Sequence, residues 1–404
     1  MKEVSLGICS SKGFKASGIH CGIRKNKSKL DLALITCDVL CTAASVYTKN
    51  KVKGAPILVT KENIKDGHAQ AIICNSGNAN TCNANGVEIA QEMCKLVEEY
   101  AKINKNDVIV ASTGVIGQPL DIKPIKNGMN ELVEQLSIDG SDNAAKAIMT
   151  TDTKKKEYAY EFNIGDKVCH VGGIAKGSGM IHPNMATLLC FITTDVAISS
   201  NMLQKALSSV IEDTLNMVSI DGDTSTNDMA SILASGLAGN DCIECENEDY
   251  EIFKEALMTL FSKLAREIAK DGEGATKLLE CKVVNAVSKE CAKTIAKSVV
   301  CSSLLKAAVF ASDANWGRIL CAIGYADCDF DINKIDVDLK SCKGEISVCK
   351  NGVGVAFDED KATDILNNDE VLVYVNCNQG SGEATAWGCD LTYEYVKINA
   401  EYRT

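Results

Sequence analysis

The chain has 404 residues, enough for two or three domains at roughly 100–200 residues each, or for one large layered unit that buries its core without disulfides or metals. Hydrophobic residues make up 46% and charged residues 24%, an ordinary globular balance. The net charge of −12, from 42 basic and 54 acidic residues, excludes the electrostatic footprint of a nucleic-acid binder and the polybasic patch of an anionic-membrane binder.

The opening Met1-Lys2-Glu3-Val4-Ser5 leads into no apolar export core, and no run of about 20 apolar residues follows anywhere. A cytoplasmic protein without a membrane span is therefore expected. Ile57-Leu58-Val59 and Ala71-Ile72-Ile73-Cys74 read as buried strands. A helix is predicted from Gly86, where Ile89, Met93, Leu96 and Tyr100 recur at helical spacing. Val108-Ile109-Val110-Ala111 reads as another strand, ended by Ser112-Thr113-Gly114.

In the second half, Leu188 to Thr193 is strand-like, and Ser199 or Ser200 is set to cap a helix carrying Leu203, Leu207 and Val210. Phe253, Leu257, Leu260, Leu264 and Ile268 form a second helical stripe, stopped at Asp271-Gly272. Lys282 to Asn285 and Val371 to Val375 are further strands. Strands interleaved with amphipathic helices predict an α/β or α+β layered fold. No repeat of 20–50 residues is visible.

The 20 cysteines are scattered, many inside apolar runs, and read as reduced thiols acting as small hydrophobes. Cys242-Ile243-Glu244-Cys245 lacks the second pair that a zinc site wants, so no metal is expected. A cysteine-rich metal or redox protein without acyl chemistry is the alternative from a different class.

The chemistry is concentrated in VGGIAKGSGMIHPNMATLLCFITTD, Val171 to Asp195. Glycines and a His182-Pro183-Asn184 turn lead to Thr187 at the start of an apolar strand. A threonine hydroxyl needs a base beside it. The histidines, His20, His68, His170 and His182, form no recognisable triad motif. Cutting the Ala186–Thr187 bond would supply one, because the freed α-amino group has a pKa of about 7.7–8.0 and lies beside its own hydroxyl. The cut itself can be autocatalytic, with the hydroxyl attacking the Ala186 carbonyl and water opening the ester. By pattern alone, a plain turn or an anion-binding loop fits the same residues.

Lys176-Gly177-Ser178-Gly179-Met180-Ile181 and Asn184-Met185-Ala186-Thr187-Leu188-Leu189 closely resemble the signature of the ornithine acetyltransferase family, also called glutamate N-acetyltransferases. The resemblance extends through Gly13 to Ile19, Asp31 to Ile35, Asn75 to Asn80, Asp221 to Asp228, Asn315 to Ile319 and the C-terminal Tyr395 to Thr404. It implies a self-cleaving, Ntn-like (DmpA-like) acyltransferase, with two halves around a central cleft. Cleavage between Ala186 and Thr187 would give an α chain, 1–186, and a β chain, 187–404, assembled as a heterotetramer of two each. Thr187 would be the nucleophile, with Thr113 and Gly114 as the oxyanion-hole pair.

The substrate contacts implied are Thr150 or Thr151, Lys176, Thr187, Glu273, Asn399 and Thr404. Lys176 and the threonine hydroxyls suit a carboxylate, and Glu273 suits an ammonium. The implied reaction moves acetyl from N-acetylornithine to glutamate through an acetyl-threonine, without metal or organic cofactor. Members that also use acetyl-CoA look alike at these motifs, so its use as a co-substrate stays open. A threonine-nucleophile amidohydrolase or aminopeptidase, passing the acyl group to water, is the closest alternative.

Overall fold

The computed structural model describes residues 1–182 and 188–401. Its secondary structure builds two mixed sheets with helices between and around them, the α/β layered arrangement expected from the sequence. Among the described residues, the larger sheet has nine strands. They are β1 (Lys2–Glu3), β2 (Phe14–Ile19), β3 (Leu32–Tyr47), β4 (His68–Asn78), β5 (Val108–Val115), β6 (Lys156–Ile164), β7 (Lys167–Lys176), β8 (Leu189–Thr194) and, after the short β9 (Val218–Ser219) of the other sheet, β10 (Met229–Ala234). They lie in the order β1-β6-β7-β8-β10-β3-β4-β5, with β2 also paired to β3. Strands from both sides of the Ala186–Thr187 step therefore share one sheet.

The smaller sheet combines β9 with β11 (Leu278–Ala286), β12 (Asp336–Ser341), β13 (Gly344–Lys350), β14 (Val353–Gly354), β15 (Glu370–Asn376) and β16 (Gly382–Cys389). The helices are α1 (Ala55–Asn63), α2 (Gly86–Ala101), α3 (Ile122–Glu134), α4 (Ser141–Ile148), α5 (Ser200–Asp213), α6 (Glu248–Lys270), α7 (Lys289–Cys301), α8 (Ser303–Phe310), α9 (Trp316–Gly324), α10 (Glu359–Leu366) and α11 (Tyr393–Glu401). No helix among the described residues is long and apolar enough to cross a membrane.

The helical stripes are core-facing, as their spacing predicts. Phe253, Leu257, Leu260, Leu264 and Ile268 of α6 are fully buried in the core shared by the two sheets. Met93 and Leu96 of α2 pack with Met129 and Leu132 of α3 over β4 and β5. Ser199 stands at the N-cap of α5, although its hydroxyl makes no capping bond.

The predicted strand Ile57-Leu58-Val59 is wrong: these residues lie in α1. Gly54 starts the helix in an extended conformation and Pro56 sits in its first turn, where its fixed φ suits a helix and its missing N–H costs nothing. The helix also has work at the sheet edge. The Thr60 hydroxyl donates to the Val110 carbonyl at 2.8 Å and accepts from the Val110 N–H at 2.9 Å, and Asn63 Nδ2 donates to the Val108 carbonyl at 2.8 Å. Polar groups of the end strand β5 are thus satisfied by a helix instead of another strand.

Most cysteines, such as Cys74, Cys190 and Cys281, are buried in apolar surroundings, while Cys242 and Cys245 are exposed. Strand β8, the element that follows Thr187 in the chain, is buried along its whole length. Phe191 at its centre is 0% exposed. Phe191→Ala is expected to cost about 3–5 kcal/mol through the cavity it leaves. Urea unfolding of the two proteins measures this, and a loss below about 1 kcal/mol would contradict the central position assigned to β8.

Candidate active site

Thr113 and Gly114 stand near the end of β5, where the strand continues through them to Val115 instead of stopping. Here β5 runs parallel to β4, with Gly77 opposite Gly114. Gly114 has φ +129°, and a Cβ on it would lie 2.4 Å from the Gly77 carbonyl carbon. Only glycine permits this approach and this conformation together.

Lys176 ends β7 and is 8% exposed. Its Nζ donates to Thr113 Oγ1 at 3.3 Å. Burial pulls its ammonium below the usual lysine range, against the opposing charges of Asp152 and Asp228.

The segment carrying Thr150 and Thr151 follows α4 and is held by a buried ion cluster. Lys156 Nζ lies 2.7 Å from Asp152 Oδ1 and 2.6 Å from Asp271 Oδ2, with all three side chains nearly inaccessible. Asp152 also accepts from the N–H of Thr150 at 2.9 Å and of Gly177 at 2.8 Å. Burial alone would raise the Asp152 carboxyl, but the Lys156 and Lys176 ammoniums and these bonds hold it well below the usual carboxylate range. Asp271 accepts from the N–H groups of Thr153 and Lys154 and from the Thr153 hydroxyl.

Two residues beyond Asp271, the Glu273 N–H donates to the Ser178 carbonyl at 2.9 Å. The Glu273 carboxylate passes so close to Gly179 that a Cβ there would meet it at 2.4 Å. Asn399 Nδ2 donates to Glu273 Oε2 at 2.7 Å. Up to residue 401 the C-terminal segment is therefore held to the cavity wall, with α11 placing Asn399 against Glu273.

These residues meet in one cavity of about 130 Å³. Its wall includes Thr113, Gly114, Thr150, Thr151, Lys176, Glu273 and Asn399, every predicted site residue that the structure describes. Both Thr150 and Thr151 line it. Leu188, the residue after Thr187, lines it too, and its carbonyl accepts from the Met229 N–H at 2.9 Å. The chain before the predicted cut is also anchored. Asp221 accepts from the N–H of Met180 at 2.6 Å and of Ile181 at 2.9 Å, and the Thr224 hydroxyl donates to the His182 carbonyl at 2.9 Å. Ala186, Thr187 and Thr404 lie outside the described residues.

Several lining residues carry no sequence-based assignment. Thr226, Asn227 and Asp228 come from the polar run Asp221 to Asp228 that precedes the apolar β10. Asn227 Nδ2 donates to the Ser112 carbonyl at 3.0 Å and also to that of Ala79, tying this run to the ends of β4 and β5. The ion cluster was equally unforeseen, since Asp271 is 115 residues from Lys156. The sharp change from polar to apolar at Met229 was the available signal for the first set.

His182 engages Ser219 Oγ at 3.0 Å and lies 3.6 Å from Cys301 Sγ, and burial, with Lys297 adding, lowers its pKa. His170 pairs with Asp195 at 2.9 Å and His20 with Asp31 at 3.3 Å. Among the described residues, none of the histidines lines the cavity.

A model of the ArgJ family matches residues 15–404. The arginine biosynthesis bifunctional protein ArgJ of Caldanaerobacter subterraneus subsp. tengcongensis is 49% identical, over 97% of this chain and 97% of that protein. A crystal structure of the bifunctional protein ArgJ of Bacillus halodurans is 45% identical, with a TM-score of 0.50, covering 52% of this chain and 97% of the solved chain. The ornithine acetyltransferase of Mycobacterium tuberculosis, solved in complex with ornithine, is 33% identical, with a TM-score of 0.42, covering 46% of this chain and 99% of that one.

Replacing Lys156 by methionine would leave Asp152 and Asp271 facing each other without their shared cation. Lys156→Met is expected to cost about 3–5 kcal/mol near neutral pH, read by urea unfolding. The sign with pH follows from Asp152. A folded pKa below the unfolded value of about 3.9 gives stability that is present above that value and lost as pH falls through the folded one. The difference between Lys156→Met and wild type should therefore shrink below about pH 4. A variant as stable as wild type at pH 7 would contradict the role of the cluster.

Proposed function

Since the chain belongs to the ArgJ family, we propose that it transfers the acetyl group of N2-acetyl-L-ornithine to L-glutamate through Thr187, after the Ala186–Thr187 bond is cut. It is an acyltransferase of arginine biosynthesis. The observation that carries the finer reading is the single cavity in which Thr113, Gly114, Thr150, Thr151, Lys176, Glu273 and Asn399 meet Leu188, the residue next to Thr187.

The chemistry is a double displacement. The Thr187 hydroxyl attacks the acetamide carbonyl while its own α-amino group takes the proton. Thr113 and Gly114 hold the oxyanion, with Lys176 bonded to the Thr113 hydroxyl behind them. The C–N bond breaks, ornithine leaves with its amine protonated, and acetyl-threonine remains. Glutamate enters the same cavity and its amine attacks the ester, which returns the proton to the threonine oxygen.

Lys176 and the hydroxyls of Thr150 and Thr151 suit the α-carboxylate that both substrates share. Glu273 suits the ornithine ammonium, and the Asn399 amide engages one of its two oxygens. Support for the two-chain form comes from the Bacillus halodurans relative. Its solved polypeptide is matched almost entirely by about half of this chain, so it is itself about half as long. The α and β chains, 1–186 and 187–404, and their assembly two by two belong to the same proposal.

Intact-mass measurement tests the cleavage. Wild-type protein should consist of two chains, the second beginning TLLCFITTD, and Thr187→Ala should remain one inactive 404-residue chain. A fully active wild-type protein that stays uncut would overturn the reading.

Glu273 generates a second test. A charge-assisted bond to the ammonium contributes about 1.5–3 kcal/mol. Glu273→Gln should therefore slow ornithine release from N-acetylornithine about 10–100-fold, and acetylglutamate formation from preformed acyl-enzyme much less. Equal losses in both half-reactions would remove Glu273 from ammonium recognition.

A further inference from the structure

Among the 20 cysteines, one pair stands apart. Cys291 Sγ lies 2.9 Å from Cys328 Sγ, across 37 residues of chain. Cys291 is in the first turn of α7, where its N–H donates to the Ser288 hydroxyl at 3.1 Å. Cys328 is in the connection between α9 and β12. Each sulfur also faces the opposite stretch of backbone: Cys328 Sγ is 3.7 Å from the Cys291 carbonyl oxygen, and Cys291 Sγ is 3.9 Å from that of Asp329. The two side chains therefore point at each other, and their sulfurs are within about 1 Å of the disulfide bond length of 2.03–2.05 Å. The connection is pinned close by, where the Asp331 N–H donates to Gln379 Oε1 at 2.6 Å and Gln379 Nε2 donates to the Asp331 carbonyl at 3.1 Å.

Access separates this pair from the other thiols that interact. Cys291 is buried and Cys328 is half-buried, so a reagent meets Cys328 first. Cys377 is near enough to both to influence their charge, but it is fully buried. Cys37 and Cys41 also engage each other, yet both are buried within β3.

We propose that Cys291 and Cys328 form a modification site, at which exchange with a small-molecule disulfide such as oxidised glutathione joins them in an intrachain bridge. The Cys328 thiolate attacks one sulfur of the small disulfide, forming a mixed disulfide and releasing one thiol. The Cys291 sulfur then attacks Cys328 Sγ, forming the bridge and releasing the second thiol. Two protein thiols are oxidised, one disulfide is reduced to two thiols, and the two thiol protons pass to the departing sulfurs.

Burial and the Cys291 neighbour push the Cys328 thiol up to about 12, so the exchange is slow near neutrality. That speed suits a lasting tie and not a rapid sensor. The bridge fastens the connection after α9 to α7, whose apolar face lies in the core with the smaller sheet. Closing a loop of this length restricts the unfolded chain and so favours the folded one. No residue of α7, α8 or α9 lines the cavity, so the bridge acts on stability and leaves acyl transfer unchanged.

The test uses the full-length protein, incubated with oxidised glutathione in mildly alkaline buffer. Remaining thiols are alkylated, and the protein is digested without reduction and mapped by mass. Modification of the exposed Cys82 and Cys342 shows that the reagent has acted. A peptide pair linked through Cys291 and Cys328, and released by dithiothreitol, is the expected product. The treated protein should melt about 3–8 °C higher than the reduced one. Cys328→Ser should give neither the link nor the rise. Cys328 recovered as a free thiol or only as its glutathione adduct, once Cys82 and Cys342 have reacted, overturns the proposal. So does a link from Cys328 to Cys377 in place of Cys291, or an equal rise in Cys328→Ser. Both cysteines lie after residue 187, so each outcome reads the same whether or not the chain is cut.

Discussion

The site depends on one buried cation. Lys156 lies between Asp152 and Asp271, and each of these carboxylates positions a different wall of the cavity. Asp152 fixes the Thr150 and Gly177 N–H groups, hence the threonine segment and the chain just after Lys176. Asp271 fixes Thr153 and Lys154 and sets the turn that delivers Glu273. Taking three charges out of water is costly, and the cluster persists because N–H and hydroxyl donors satisfy the remaining carboxylate oxygens. Pairing at this depth contributes geometric definition more than net stability, and an acyl-transfer site needs that definition.

The electrostatics of the cavity follow from the same burial. Lys176 and Asp228 are pushed in opposite directions, each toward its neutral form, inside one small volume. Groups so perturbed in a cleft are candidates for a functional role, and here they flank the start of β8. Backbone geometry supplies the rest. The approach of Gly77 to Gly114 brings the ends of β4 and β5 into near contact, and Asn227 ties them to the approach of β10. Acyl transfer of this kind needs a nucleophile, a local base and preorganised donors, and none of these requires a metal-binding arrangement.

Local periodicity made the helices legible. The 3.6-residue spacing of Phe253 to Ile268 belongs to a helix whose stripe is fully buried, and the Gly86 helix begins where the apolar repeat begins. Ile57-Leu58-Val59 misled because a short apolar run has no period of its own, and because the partner that makes it a helix, the β5 edge met by Thr60 and Asn63, is distant in sequence. The candidate residues that line the cavity stood out in the sequence only through resemblance to a family: nothing in the spacing of Thr113, Lys176, Glu273 and Asn399 says that they share a cavity. Asp228 and the Lys156 cluster escaped because an acid's burial is a tertiary property, and a charged residue in a sequence looks solvated until its surroundings are known.

Threonine acyl chemistry is tested most directly by trapping the intermediate. Purified protein is incubated with N-acetylornithine in the absence of glutamate and its chains are weighed and mapped. One acetyl group on the Thr187 side chain, lost with formation of N-acetylglutamate when glutamate is added, is the expected result. Ornithine release without acetylation of Thr187, or an acetyl group carried on a cysteine or lysine instead, would contradict it.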